Sequence, residues 1–369
     1  MTKVETSIFS FFSGAGFLDL GFEYNDFKID FVNEYQKSFL ETYKSTRKNL
    51  NKDIPLFGYS GEDVSKFLEN KNLQFLKEII RESKTSNKLI GFVGGPPCPD
   101  FSIAGKNRGK EGENGKLTEV YFELIKLLNP DFFLFENVKG LFKTEKHRKF
   151  YDEMKMKVAS NYILNENLVN SLEYGVPQDR ERIFLIGFKK NTFNSTRKLK
   201  ENFDWELSKL YDINNIEKIK WPETSIFQNP LSEIQPDDII KDLTVKFWFD
   251  KNKVDDHPNS LDSFKPKAGL SKFLIIPEGD VKKKSYKRLH RWRYSPTVAY
   301  GNNEVHLHPY LPRRISVAEA LSLQTLPENF YFPEDITLSD KFKMIGNGVP
   351  FKLSSALASS VKKFISDNL

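Results

Sequence analysis

A chain of 369 residues, 39% of them hydrophobic, is long enough for two domains or for one large domain with a substantial insertion. A single cysteine excludes a disulfide framework, no apolar run approaches the ~20 residues of a membrane helix, and residues 1–12 lack the basic-then-apolar order of a secretory leader, so a cytoplasmic protein without a membrane partner is expected. The net charge of +6 suits a polyanionic partner, but many Lys-rich chains bind none.

The first half of the chain alternates strand and helix signals. Residues 8–12 read as a strand, Ser13-Gly14-Ala15-Gly16 as a tight turn, and residues 17–24 as the opening of a helix. A second strand, residues 29–33, ends on Glu34, and a helix follows over 37–48. An amphipathic helix over 71–82 leads to the apolar run Leu89-Ile90-Gly91-Phe92-Val93, a short buried strand that delivers Gly94-Gly95-Pro96-Pro97-Cys98-Pro99-Asp100-Phe101-Ser102. Residues 103–116 hold four glycines and no apolar stripe, and read as a mobile loop. A helix over 117–128, a buried strand over 132–135 ending on Glu136, a helix over 146–160 and strands at 163–169 and 182–188 complete the series. Repeated β-α-β units predict a parallel sheet covered by helices, with ligands at the carboxyl ends of its strands.

Beyond residue 190 the alternation fades. All four tryptophans lie here, at positions 205, 221, 248 and 292, among polar stretches and turn signals. This predicts a smaller, irregular domain over 191–310, set into a larger domain formed by 1–190 and completed by 311–369. Residues 282–293 carry seven cations and no acid: Lys282, Lys283, Lys284, Lys287, Arg288, Arg291 and Arg293. A solvated charged face is the ordinary reading of such a run, and the interleaved Tyr286 and Trp292 shift it toward nucleic-acid contact.

The chemistry concentrates around Cys98. A thiol among prolines and glycines at a strand end sits in a turn, outside any packed apolar face, which favours a nucleophile over a buried small side chain. Glu136 ends the strand of the next unit, so both side chains can enter one crevice. Thiolate and carboxylic acid together suit addition to an electron-poor ring, with the acid engaging a ring nitrogen as charge develops. Arg180 and Arg182 alternate at a strand start and share a face, where cations stabilise that charge and the thiolate. The first glycine turn is a nucleotide-type site, with Glu34 twenty residues after Gly14 to meet ribose hydroxyls. Asp63, ending a third strand, is placed to meet an adenine amino group. Packing turns and salt bridges are the structural alternatives for these residues. No metal site is expected.

With these residues assembled, the chain resembles a DNA (cytosine-5) methyltransferase of the bacterial restriction-modification type. The ordered motifs are Phe12-Ser13-Gly14-Ala15-Gly16, Gly95-Pro96-Pro97-Cys98, Glu136-Asn137-Val138, Gln178-Asp179-Arg180-Glu181-Arg182, Arg313-Arg314-Ile315-Ser316-Val317 with Glu319, and Gly346-Asn347. The resemblance implies a Rossmann-like α/β sheet with helices on both faces, and a target-recognition domain between the arginine motif and Arg313. It implies S-adenosylmethionine as cofactor, held by Phe12, Gly14, Ala15, Gly16, Glu34, Tyr35, Asp63, Val64, Pro97 and Asn347, with Phe12 stacked on adenine. Double-stranded DNA is the implied partner of a monomer, with Ser102 and the cations of 282–293 in contact with it and a restriction endonuclease as companion. A cytosine flipped from the duplex is attacked at carbon 6 by Cys98, engaged at N3 by Glu136 and contacted at its oxygen by Arg182. This chain departs from the family pattern at Phe17 for glycine, Pro99 for glutamine, and Ala318 and Ser322 for arginines. A tRNA methyltransferase of the same family would lack the long insert. A cysteine hydrolase would need a supporting motif around His147, His257, His290, His306 or His308, and none is present.

Overall fold

The computed structural model describes residues 5–97, 113–193, 203–266, 270–283, 285–298 and 306–369. Its sheet strands are β1 (Thr6–Phe11), β2 (Lys28–Asn33), β3 (Tyr59–Ser60), β4 (Leu89–Gly94), β5 (Phe132–Val138) and β6 (Tyr162–Asn170), then the short β7 (Gln178–Asp179) and β8 (Glu181–Lys189). Seven of them form one sheet in the order β3-β2-β1-β4-β5-β8-β6, while β7 pairs with Ser295–Pro296 instead.

Alternation along the strands splits the core in two, with one extra residue in β2 at Asp30 putting Ile29 and Phe31 on opposite sides. Ile8, Ile29, Val93, Phe132, Leu134, Phe184 and Ile186 face one side, and Phe9, Phe11, Phe31, Phe92, Phe133, Phe135, Ile183 and Leu185 the other. On the first face pack the helices α1 (Phe17–Glu23), α2 (Lys37–Asn49) and Phe351–Asn368. On the second lie α3 (Asn70–Thr85), α4 (Glu113–Leu128) and, after the short α5 (Lys139–Lys143), α6 (Glu145–Val158). Helices on both faces bury both sides of the strands, which is why β5 can run Phe-Phe-Leu-Phe without a polar break.

Two expectations change. The sheet is mixed, because β8 runs antiparallel to both β5 and β6. Only residues 171–180 separate β6 from β8, too few for the crossover of a dozen or more residues that a parallel return requires. Helix α4 begins at Glu113, ahead of the apolar stripe that starts at Leu117, so the loop expected over 103–116 is shorter at its end. Its residues 103–112 lie outside the described residues.

The segment expected to be a separate unit has few regular elements among its described residues: helices Ile213–Lys218, Val245–Lys251 and Leu270–Ile275 with two-residue strands. Its Val245, Phe249, Val254 and Leu289 share a core with Phe17 and Leu20 of α1 and with the helices Val317–Leu323 and Leu338–Asn347.

Candidate active site

One line of register lays out the site. Asn33, Phe11, Gly94 and Phe135 are Cα partners in turn across β2, β1, β4 and β5. The next residue of each strand therefore falls on the carboxyl edge of the sheet, and these are Glu34, Phe12, Gly95 and Glu136. With strands ~4.8 Å apart, Glu34 and Glu136 stand about 14 Å from each other along that edge.

At the Glu34 end the chain turns sharply. Gly14 and Gly16 have φ of 57° and 77°, a region glycine enters without the clash of a Cβ. A Cβ on Gly14 would meet nothing within 4 Å, so the turn opens onto unfilled space. Glu34 is buried and braces the turn: Oε2 accepts from the Gly14 amide and Oε1 from the Gln36 amide, both at 2.8 Å. Burial pushes its carboxyl above the ordinary range, against the pull of those two amides. Phe12 takes φ of 54°, which costs a non-glycine residue about 1–2 kcal/mol, and its half-buried ring stands edge-on to Tyr121 with centroids 6.1 Å apart. Ala15 and Val64 are buried, so their side chains serve the core, while Tyr35 and Asn347 are exposed. Asp63 does not end a strand. β3 stops at Ser60, and Asp63 caps the 3₁₀ turn Val64–Leu68, accepting from the Ser65 amide at 2.8 Å.

Phe17, the departure from glycine, is 2% exposed and stands edge-on to Phe330 with centroids 5.3 Å apart. A Cβ on Gly348 would lie 2.2 Å from its ring. The phenyl group thus fills the space between the glycine turn and the Gly346-Asn347-Gly348 segment.

At the other end Glu136 is 8% exposed, and Arg182 Nε stands 3.2 Å from its Oε1. Burial pushes the Glu136 carboxyl above the usual range, opposed by Arg182 and then Arg180. A Cβ on Gly95 would lie 2.8 Å from Glu136 Oε2, so glycine there leaves room for the acid. Arg180 is fully buried and donates from Nη2 to the Gly346 carbonyl at 2.9 Å, linking the arginine motif to the Asn347 segment. Because β8 is antiparallel, its beginning lies at the edge where β5 ends. A parallel β8 would have carried both arginines to the opposite edge. Pro97 is half-buried, and Cys98 and Ser102, which follow it in sequence, lie outside the described residues.

The late motif has its own logic. Ser316 and Glu319 form a reciprocal cap on helix Val317–Leu323, and Arg313 clamps Glu319 with two contacts at 2.9 and 2.5 Å. Of the basic run, Lys282 and Lys283 are exposed and Lys287 and Arg293 half-buried, while Lys284 lies outside the described residues. Arg288 and Arg291 are interior. Arg288 is fully buried and donates to the carbonyls of Phe273, Ile276, His308 and Leu311; Arg291 makes a two-point contact with buried Glu278, at 3.0 Å each. Both are removed from a phosphate-contacting face by the need to satisfy buried partners. Sequence patterns also missed Asp19, Tyr43 and Arg47, buried beneath the glycine turn; the one signal was a carboxylate inside the apolar stripe of α1. Among the described residues no His, Cys, Asp and Glu cluster could hold a metal, and no helix is long and apolar enough to cross a membrane.

Residues 6–363 match the family model described as C-5 cytosine-specific DNA methylase. The chain is 52% identical over 367 residues to the Type II methyltransferase M.NmeDI of Neisseria meningitidis serogroup C, covering 99% of this chain and 86% of that one. It is 30% identical to M.FnuDI, a Type II methyltransferase of Fusobacterium nucleatum, over 98% of this chain and 95% of the relative. In fold it is similar to a putative DNA modification methyltransferase encoded within an E. coli prophage, with a TM-score of 0.66 at 23% identity over 98% of this chain and 100% of that one. The Dnmt2 methyltransferase of S. pombe gives 0.61 at 11% identity over 98% and 99%, a likeness of fold alone.

Proposed function

The chain belongs to the C-5 cytosine-specific DNA methylase family, and from that premise we infer that it moves a methyl group from S-adenosylmethionine to carbon 5 of a cytosine flipped out of a specific double-stranded DNA site. The observation that carries the reading is the pairing of buried Glu136 with Arg182 on the sheet edge, one strand from the Gly95-Pro96-Pro97-Cys98 segment.

The donor suits the open glycine turn, where Gly14 and Gly16 allow close approach of the chain and Glu34 keeps lone pairs for ribose hydroxyls. Phe12 offers its ring to the adenine, with Tyr35, Asp63, the backbone of Val64, Pro97 and Asn347 around it. When bound, the donor supplies an electrophilic methyl on its sulfonium. The Cys98 thiolate forms a bond to carbon 6 of cytosine, and the ring electrons move toward carbon 5 and N3. Glu136 holds the proton at N3, which its raised pKa favours, and Arg182 steadies the base oxygen. Carbon 5, made nucleophilic by this addition, would take the methyl group of a donor held at the turn, whose sulfur would keep the bonding pair and leave as S-adenosylhomocysteine. A solvent-derived base then takes the carbon 5 proton, and the electrons of that C–H bond re-form the ring double bond and expel Cys98 as thiolate.

Residues 1–190 with 311–369 carry out this chemistry, and residues 191–310 read the DNA site, with Lys282, Lys283, Lys287 and Arg293 on phosphates. The enzyme acts as a monomer in the cytoplasm, alongside a restriction endonuclease whose site it protects. Bisulfite sequencing of DNA from cells expressing the protein is the test. One methylated cytosine context is expected, and unmodified DNA from cells with soluble protein overturns the reading.

A further inference from the structure

Beneath the glycine turn lies a group of ionisable side chains that the reaction does not use. Arg47 of α2 is 2% exposed and Asp19 of α1 is 1% exposed. Arg47 Nη2 donates to the Gly16 carbonyl at 2.6 Å, and its Nε stands 2.8 Å from Glu23. Its guanidinium carbon lies 4.3 Å from the centre of the Tyr43 ring. The Tyr43 hydroxyl donates to one oxygen of Asp19 at 2.9 Å, and the Ser10 hydroxyl to the other at 2.8 Å. Ser10 is in turn 2.9 Å from the Ser13 hydroxyl. The group therefore grips the turn at both ends, Ser13 and Gly16.

Placing two carboxylates and a guanidinium in the interior costs desolvation that an apolar filling would avoid. What a guanidinium provides in exchange is direction, since its donors form a rigid planar fork. Here the fork ties the Gly16 carbonyl to Glu23 at the far end of α1. That carbonyl also accepts the first hydrogen bond of α1, from Leu20 at 2.9 Å, so it sits at the junction of turn and helix. A Cβ on Gly16 would meet both Arg47 and Tyr43 at 2.5 Å, so the brace and the turn are in direct contact.

We propose that Arg47, held by Glu23 and by the Tyr43–Asp19 pair, is a positioning residue that sets the glycine turn at the height the methyl donor requires. The proposal rests on the turn being the donor's seat. Arg47→Lys keeps the charge but cannot reach Gly16 and Glu23 together. It should raise the KM for S-adenosylmethionine, and the Kd for S-adenosylhomocysteine by titration calorimetry, roughly tenfold, equivalent to about 1.4 kcal/mol. The kcat at saturating donor and the KM for DNA should stay within about twofold. Tyr43→Phe, which keeps the ring and loses the hydroxyl, should move the same two constants by a smaller factor. Arg47→Ala leaves buried carboxylates without their cation and is read only alongside a melting curve. Wild-type affinity in both variants overturns the brace, and so does a parallel loss of donor affinity, DNA affinity and melting temperature, which would mark general packing. A wild-type protein that methylates DNA yet shows no donor at this turn, as judged by unchanged KM in Gly14→Val, would sink the reading of the seat and the brace with it.

Discussion

Arginine does opposite work in two parts of this molecule. On the carboxyl edge of the sheet, backbone groups are satisfied by strand register, and Arg182 is placed where its charge meets Glu136. In the segment over 203–298 the strands are two residues long, and arginine stands in for the missing ladder. Arg288 gathers the carbonyls of Phe273, Ile276, His308 and Leu311, and Arg291 neutralises Glu278 in the interior. Buried carbonyls must be paired somewhere. A chain with little regular structure pairs them with side chains, and those side chains are then unavailable to a ligand. On the proposed reading, the cations left for DNA are Lys282, Lys283, Lys287 and Arg293, which retain solvent exposure.

The largest effects fall on the sheet edge. Glu136→Gln keeps a hydrogen bond to the base but loses the proton, and turnover should drop roughly 10²–10⁴-fold at unchanged donor affinity in a labelled-methyl assay. Cys98→Ser should remove turnover, and wild-type protein should be trapped covalently on DNA carrying 5-fluorocytosine, which cannot shed a proton from carbon 5. An untrapped but active wild type would contradict addition through Cys98. The pH dependence follows from the sign of the Glu136 shift. Its carboxyl is pushed up by burial, so the protonated acid is present at low pH and lost as pH rises through the raised value. The activity and the stability that depend on this proton should decline together over that window, and Glu136→Gln should flatten the stability change.

In the irregular segment the expected losses are of folding. Arg291→Ala leaves Glu278 buried and uncompensated, costing about 3–5 kcal/mol in a urea titration. If the variant is as stable as wild type but binds DNA weakly, the division between scaffold and contact arginines is wrong. Acid should loosen the same region. His290 Nδ1 accepts from the Trp292 amide at 3.0 Å, and burial lowers its pKa to about 4. Neutral His290 therefore supports the fold above the ordinary histidine range, and that support, on the order of 3 kcal/mol, is lost as pH falls toward 4. Trp292 fluorescence should report the change, and His290→Gln should remove it.

The smallest effect is the most selective. Neutralising Lys282 and Lys283 should leave stability within about 0.5 kcal/mol while flattening the salt dependence of DNA binding by roughly 0.9 for each phosphate that no longer meets a cation. Methylation at a new sequence with unchanged affinity would show that these lysines read bases.

Much of the catalytic half was legible because its signals are local. Apolar runs mark β1, β2, β4 and β5, and a polar or glycine residue follows closely on each; Glu34 falls just past the end of β2, while Glu136 falls just past the part of β5 paired with β4, the strand itself continuing to Val138 against β8. The direction of β8 was not legible from its composition, since antiparallel and parallel buried strands share it; the length of the 171–180 link held the answer. The expectation of a parallel sheet was also at odds with placing Arg180 and Arg182 beside Glu136, and the antiparallel strand resolves the conflict. The basic run misled because the sequence shows charge but not burial. A carboxylate such as Glu278, thirteen residues from Arg291, gives no local sign that it will claim a cation. Arg47 was hidden for the same reason, its partners being spread over α1 and the turn.

The position of helix Phe351–Asn368 sets a schedule for the enzyme. It packs on α1, and the Ser354 hydroxyl donates to the Leu18 carbonyl 336 residues earlier in the chain. Translation at about 5–20 residues per second makes that helix roughly 20 s to a minute later than the glycine turn it supports. During this interval α1 has no cover on one face, and Arg180 lacks the Gly346 carbonyl that joins the two halves of the site. A chain truncated before that helix is therefore expected to transfer no methyl group, which a labelled-methyl assay on a variant ending at residue 350 would check. On this reading the last part of the chain to be made completes the first part's helix packing and the Arg180 link.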